Sequence, residues 1–184
     1  MARAFVACKQ HVHNRGTPSD AFLDQLVDWG TAAPDEIFVR NEITDIYSFV
    51  KPELGPWASD LERRAAMLEV LRVLAGFESS WDWNEGRDVT NPHSNQPCTE
   101  EAGIFQVSGD SMNFDASLKD LVRRTQGNTN CDIFRATMKS NHPFALEYCA
   151  RLLRFTTDHH GPVKRKEINP WLRRDAMAEL LGFL

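Results

Sequence analysis

The strongest periodic signal in the chain begins at Ser59. In SDLERRAAMLEVLRVLAGFESSW, apolar residues recur at Leu61, Met67, Leu68, Leu71 and Leu74, the three- and four-residue steps of one helix face. Ser59 or Asp60 stands where a helix N-cap belongs, and Glu62 follows Ser59 at the spacing of a capping box. The segment predicts an amphipathic helix running to Trp81. Upstream, residues 1 to 60 are largely irregular. Ser19–Trp29 is the clearest helix there, with Phe22, Leu23, Leu26 and Val27 on one face, and a second is expected over Asn41–Val50, before Pro52, Gly55 and Pro56 punctuate the chain.

Downstream, residues 82–100 are dense in Asn, Asp, Gly and Pro and read as a loop. EAGIFQVSG is too short to classify by period. Further helices are expected over Asp115–Arg124, Asp132–Lys139 and Asn141–Phe155, where Phe144, Tyr148, Leu152 and Phe155 repeat at helical spacing. Gly161-Pro162 should stop that element, and a last helix is expected over Pro170–Leu181, with proline in its first turn. No alternating run is long enough for a substantial sheet. The pattern predicts a single all-α domain with room for only a very small β element. Residues 1–57 form an N-terminal extension packed on a 58–184 core.

Composition narrows the function classes. With 42% hydrophobic and 26% charged residues, 184 residues can bury a core without metal or disulfides. A net charge of −5 argues against a general nucleic-acid binder, which needs a cationic face. No apolar run is long enough for membrane insertion, and the N-terminus lacks the apolar stretch and cleavage site of a secretory signal. Lys164–Arg174 carries five basic residues against Glu167 alone, either a solvated face or a contact surface for an anionic polymer such as a cell wall. Cys8, Cys98, Cys131 and Cys149 include no CxxC pair. They allow reduced thiols or two disulfides, and on oxidation Cys98–Cys131 is the first pairing expected, both residues being read as loop. Cys8, His11 and His13 make at most part of a zinc site, and Asp82, Asn84 and Asp88 miss the calcium-loop pattern at Gly86. No metal or cofactor is called for.

The candidate chemistry lies at the end of the long helix. The stripe Met67, Leu71, Leu74 continues at helical spacing to Glu78 and then Trp81. A carboxyl group among apolar neighbours is held more readily in its neutral form, and a protonated acid can deliver a proton to a glycosidic oxygen. The bland alternative is a helix frayed at Gly76 that leaves Glu78 in solvent.

GFESSW, the later EAGIFQVS, and Asn141, Ala145, Tyr148 and Leu152 occur in the order of three motifs of the lysozyme-like superfamily. Over residues 60–163 the chain resembles lytic transglycosylases and goose-type lysozymes. Glu78-Ser79 matches the Glu-Ser that ends their catalytic helix, and Gly103-Ile104-Phe105-Gln106 matches their Gly-Leu-Met-Gln segment. Ala145 replaces the usual glycine of the third motif. Their Ala-Tyr-Asn segment has no clear copy; the nearest place is FTTDHHGPV, with His159, His160 and Gly161. Where goose-type enzymes carry an aspartate, Ser108 stands, with Asp110 two residues on.

The resemblance implies a lysozyme-like helical fold with a cleft, and muramidase activity on the MurNAc-β-1,4-GlcNAc bond of peptidoglycan. Glu78 would be the general acid. An inverting hydrolase would need a second carboxylate about 6.5–9.5 Å away; Glu101 and Asp110 are the first candidates, then Asp88 and Glu85. A lytic transglycosylase would need none, because the substrate's own C6 hydroxyl attacks. Ser79, Trp81, Gly103, Phe105, Gln106, Tyr148 and His160 are the expected substrate-binding residues. Gly103 permits close backbone approach to a sugar, Gln106 offers a donor and an acceptor, and Trp81 and Trp83 either stack on sugar rings or simply pack. By the same analogy the chain is expected to be an antibacterial toxin made in the cytoplasm. A dedicated export machine such as type VI secretion would deliver it to the periplasm of a target bacterium, or phage-type lysis would release it. Its expected partners are glycan strands and an immunity protein plugging the cleft. The competing expectation is an inactive helical module that binds peptidoglycan or a protein partner.

Overall fold

A computed structural model describes residues 3–41 and 43–184. The fold is all-α. Helices take up 57% of the described residues, and the sheet among them is one two-stranded hairpin. In chain order the α-helices are α1 (Asp20–Ala32), α2 (Ile46–Leu54), α3 (Asp60–Ser79), α4 (Ala116–Gln126), α5 (Cys131–Ser140), α6 (His142–Phe155), α7 (Gly161–Lys164) and α8 (Arg174–Leu181). The hairpin strands β1 (Glu101–Ala102) and β2 (Val107–Ser108) lie between α3 and α4, antiparallel, with Glu101 opposite Ser108 and Ala102 opposite Val107.

Helix α3 organises the molecule. Ser59 Oγ accepts the Glu62 N–H at 3.2 Å, which satisfies an orphan donor of the first turn, and the Glu62 carboxylate reaches back to the Ala58 N–H just before the cap. The helix is not amphipathic as its period implies. It is buried on all sides from Arg64 to Gly76, packed by α1, α2, α6, α7 and α8, while Leu61, at the outer end, is 47% exposed. Glu69 and Arg72, both fully buried, survive that burial because they satisfy each other. Both Arg72 Nε and Nη2 donate to the Glu69 carboxylate at 2.7 Å, Arg72 also donates to the Cys8 carbonyl, and Glu69 accepts the Arg173 N–H. The pair thereby ties α3 to both ends of the chain.

The N-terminal section shares this core. Phe22, Leu23, Leu26 and Val27 of α1 are buried in the same cluster, and α1 packs on α3 and α6. The Glu179 carboxylate on α8 accepts the Val6 and Cys8 N–H groups at 2.7 and 2.8 Å. Helix α2 begins at Asp45, whose side chain accepts the Tyr47 and Ser48 N–H groups and also the Arg154 Nε–H at 2.7 Å. Three boundaries differ from the sequence expectation. Pro52 sits inside α2 rather than beyond it. Gly161-Pro162 starts α7, where a proline lacking its N–H costs nothing in the first turn. Pro170 belongs to a short 3-10 turn, Asn169–Trp171, so α8 begins only at Arg174.

Candidate active site

Helix α3 runs unbroken through Gly76, and Gly76 has a packing role. A Cβ there would lie 2.7 Å from Cζ2 of Trp81, so the missing side chain makes room for the indole to fold back on the helix. Ser80 ends α3 in the left-handed region (φ 55°), its N–H bonded to the Ala75 and Gly76 carbonyls, and Trp81 follows at φ 63°. Trp81 Nε1–H donates to the Arg72 carbonyl at 2.9 Å, and the ring is buried. This reversal brings residues 82–108 back across the helix end and leaves Glu78 on the last turn beside a polar cleft of about 740 Å³.

Glu78, Glu101, Gln106 and His160 line that cleft, together with His159, Gly161 and the reserve carboxylates Glu85 and Asp88. The Glu78 side chain is 16% exposed and that of His160 only 1%. His160 Nδ1 lies 3.2 Å from Glu78 Oε1, and on the other edge of the ring Nε2 lies 3.6 Å from Sγ of Cys149, a fully buried residue of α6. Burial, and secondarily the Glu78 charge, push the Cys149 thiol well above its usual range. The neighbouring His159 is driven down to about 3 by burial and then by His160. Glu101 Oε1 accepts from Asn91 Nδ2 at 2.9 Å, whereas its buried Oε2 has no partner among the described residues.

The other expected residues stand behind the cleft or away from it. Ser79 is buried, its hydroxyl shared between the Ala75 carbonyl (3.1 Å) and the Ile104 carbonyl (2.9 Å), and so pins the hairpin turn to the helix end. Phe105 is core. Tyr148 is core as well, its hydroxyl 2.7 Å from that of Ser111, and burial pushes its phenol upward. Gly103 (φ 72°) does not open onto the cleft. A Cβ there would meet the Met138 carbonyl oxygen on α5 at 2.9 Å, so the close approach it permits is to protein backbone. Asp110 is exposed and outside the cleft, its carboxylate accepting from Ser108 Oγ and its N–H bound to the Cys98 carbonyl. Trp83 stacks on His142, centroids 3.9 Å apart.

The cleft wall is held in several ways. Cys98 and Cys131 form a disulfide with Cα atoms 5.0 Å apart, joining the polar loop to α5; Cys131 is the first residue of that helix rather than loop. Glu100 pairs with Arg87 and Arg135. Asp82, Asp88 and Asn91 each accept a backbone N–H two residues on, which shapes the loop. Among the described residues no three His, Cys, Asp or Glu side chains converge as a metal site. Cys8 instead bonds the Ala176 carbonyl, and His13 packs against Phe77 and Trp171.

Sequence reasoning missed Arg15, which reaches the cleft from the N-terminal section, and Arg165. Arg165 belongs to the basic stretch already noted; it pairs with Glu167 and Arg173 pairs with Asp175, while Lys164 and Lys166 are exposed. Comparison with known proteins adds nothing: no family model, no curated protein and no solved structure matches this chain.

Proposed function

We propose that this protein is a peptidoglycan glycoside hydrolase, a muramidase in which Glu78 protonates the glycosidic oxygen between MurNAc and GlcNAc. The observation that carries this reading is the placement of Glu78: a largely buried carboxyl at the end of a rigid central helix, open to a polar cleft and braced by a buried imidazole at 3.2 Å. A general acid needs that combination of fixed orientation, restricted solvent and access to substrate. As the C1–O bond breaks, its electron pair goes to the leaving oxygen, which takes the Glu78 proton, and the sugar is left as an oxocarbenium-like centre. Glu101, which lines the same cleft, is the carboxylate we assign to orient water toward that centre. Capture by the substrate's own C6 hydroxyl would instead give anhydro ends. The order of the Glu78-Ser79, Gly103–Gln106 and Asn141–Leu152 segments supports the lysozyme-like reading, as does the Ser79 bond that joins the first two. By analogy to such enzymes the protein would act as an antibacterial toxin, with an immunity protein filling this cleft.

The test is incubation of the purified protein with sacculi and mass spectrometry of released muropeptides. Glu78→Gln should lower turnover by about 10²–10⁴-fold with an unchanged circular dichroism spectrum. Turnover within about threefold of wild type defeats the assignment. Wild-type protein that binds sacculi but releases nothing is a binding module instead.

A further inference from the structure

Glu78 has one oxygen engaged and one free, and the residues behind it decide which does which. Oε1 faces Nδ1 of His160 at 3.2 Å; no protein partner is seen for Oε2 among the described residues. A neutral imidazole carries one N–H and one bare nitrogen. If Nδ1 were bare, its lone pair would face the Glu78 carboxylate, an unfavourable contact in a site where His160 is only 2% exposed. If Nδ1 carries the hydrogen, Nε2 becomes a buried acceptor that needs a donor of its own. Its recorded neighbour is the Cys149 thiol at 3.6 Å, a normal separation for a sulfur donor. That thiol lies on α6, with no exposure to solvent, where burial keeps it protonated and therefore a donor.

We propose that Cys149 is a positioning residue that holds His160 in its Nδ1–H tautomer, so that His160 always donates to Glu78 Oε1 and the transferable proton of the acid rides on Oε2. This rests on Glu78 being the general acid. In the protonated enzyme, Oε2–H serves the cleft while Oε1 accepts from Nδ1–H. After that proton has passed to the leaving oxygen, the same Nδ1–H stabilises the new carboxylate without moving. Were the tautomer reversed, Glu78 would have to donate its own proton to Nδ1 through Oε1, and the acid would be spent on the histidine. Cys149 never touches substrate; it acts through the ring.

The experiment reads the tautomer and the activity separately. With ¹⁵N-histidine in the whole protein, long-range proton–nitrogen spectra distinguish a protonated from a bare ring nitrogen, and the His160 signals are assigned by their loss in His160→Gln. Wild type should show Nδ1 protonated and Nε2 bare, without any substrate present. Cys149→Ala should populate the other tautomer and lower kcat by about 2- to 10-fold, the worth of one ordinary buried hydrogen bond, with KM unchanged. Cys149→Ser, which keeps a donor, should restore both the spectrum and kcat. A bare Nδ1 in wild type overturns the proposal. So does a Cys149→Ala protein with lowered thermal stability but wild-type kcat and tautomer, the signature of simple packing. Should Cys149→Ala fail to fold, the wild-type spectrum and Cys149→Ser still decide. Full activity of Glu78→Gln would instead defeat the assignment of Glu78 and leave the tautomer result standing.

Discussion

Gly103→Ala separates two reasons for a glycine at the cleft wall. Gly103 has φ 72°, and an added Cβ would lie 2.9 Å from the carbonyl oxygen and 3.2 Å from the carbonyl carbon of Met138. Both are backbone atoms of α5, a helix tied down by the Cys98–Cys131 disulfide and by the Arg135–Glu100 pair, so no rotamer change relieves the contact. Left-handed backbone costs an L-residue about 1–2 kcal/mol, and overpacking a filled site costs about 1–3 kcal/mol. Together the substitution should destabilise by about 2–5 kcal/mol, which is large against the roughly 5–15 kcal/mol of a typical domain but compatible with a folded protein. Urea unfolding followed by far-ultraviolet circular dichroism should show a lower midpoint at unchanged slope. Gly86→Ala is the control, because Gly86 has nothing within 4 Å of its missing Cβ and a backbone that tolerates alanine; its midpoint should not move. The opposite result is equally clear. If Gly103→Ala unfolds within about 0.5 kcal/mol of wild type yet loses muropeptide release through a raised KM, the glycine serves a sugar and not Met138, and the packing account is wrong.

Two further outcomes follow from the site's surroundings. Reducing Cys98–Cys131 opens a loop spanning 33 residues of sequence and should cost about 3–4 kcal/mol of unfolding free energy, with faster hydrogen exchange across residues 82–100; equal midpoints with and without reductant would contradict this. His159 is held neutral by burial and by His160, so its folded value of about 3 lies below the ordinary histidine value of 6.5. The stability it contributes is therefore complete above pH 6.5 and is lost as pH falls toward 3, by at most about 1.4 kcal/mol per pH unit. His159→Phe should flatten that limb of the stability profile, and an unaltered slope there would show that His159 titrates freely.

The fold was legible where local signals agree. Ser59, Glu62 and the leucine steps specify the start and course of α3, and Asp115, Asn130 and Asn141 each cap the helix that follows them. What the period could not convey is that α3 is central. Glu69 and Arg72 interrupt its apolar faces and imitate a solvated side; only the Cys8 carbonyl and the Arg173 N–H, far away in sequence, turn them into a buried pair. Proline misled for a related reason. Read as a stop at 162 and a start at 170, it does the reverse at the first and makes only a 3-10 turn at the second, because its fixed φ suits any first turn.

The site was legible as a set of segments, and much less as a set of side chains. Neighbouring residues on a helix point about 100° apart, so Glu78 and Ser79 cannot face the same way. Glu78 meets the cleft and His160, while Ser79 turns under the hairpin to the Ile104 carbonyl. The same division occurs in the turn, where Phe105 goes to the core and Gln106, in a left-handed conformation at φ 46°, goes to the cleft with its side chain returned to the Gly103 carbonyl. In both pairs one residue anchors the wall and its neighbour is presented by it. The segments read from the sequence thus mix residues that reach the cleft with residues that support it. Tyr148 and Trp81 are supports of this kind, and their hydrogen bonds to Ser111 and to the Arg72 carbonyl are internal. Cys149 lies one position past Tyr148 on α6, on the side turned to His160, outside every motif and visible only once the helices are packed. Substituting a support should therefore act through stability and geometry, whereas under the proposed function Glu78→Gln should act on turnover with the fold kept.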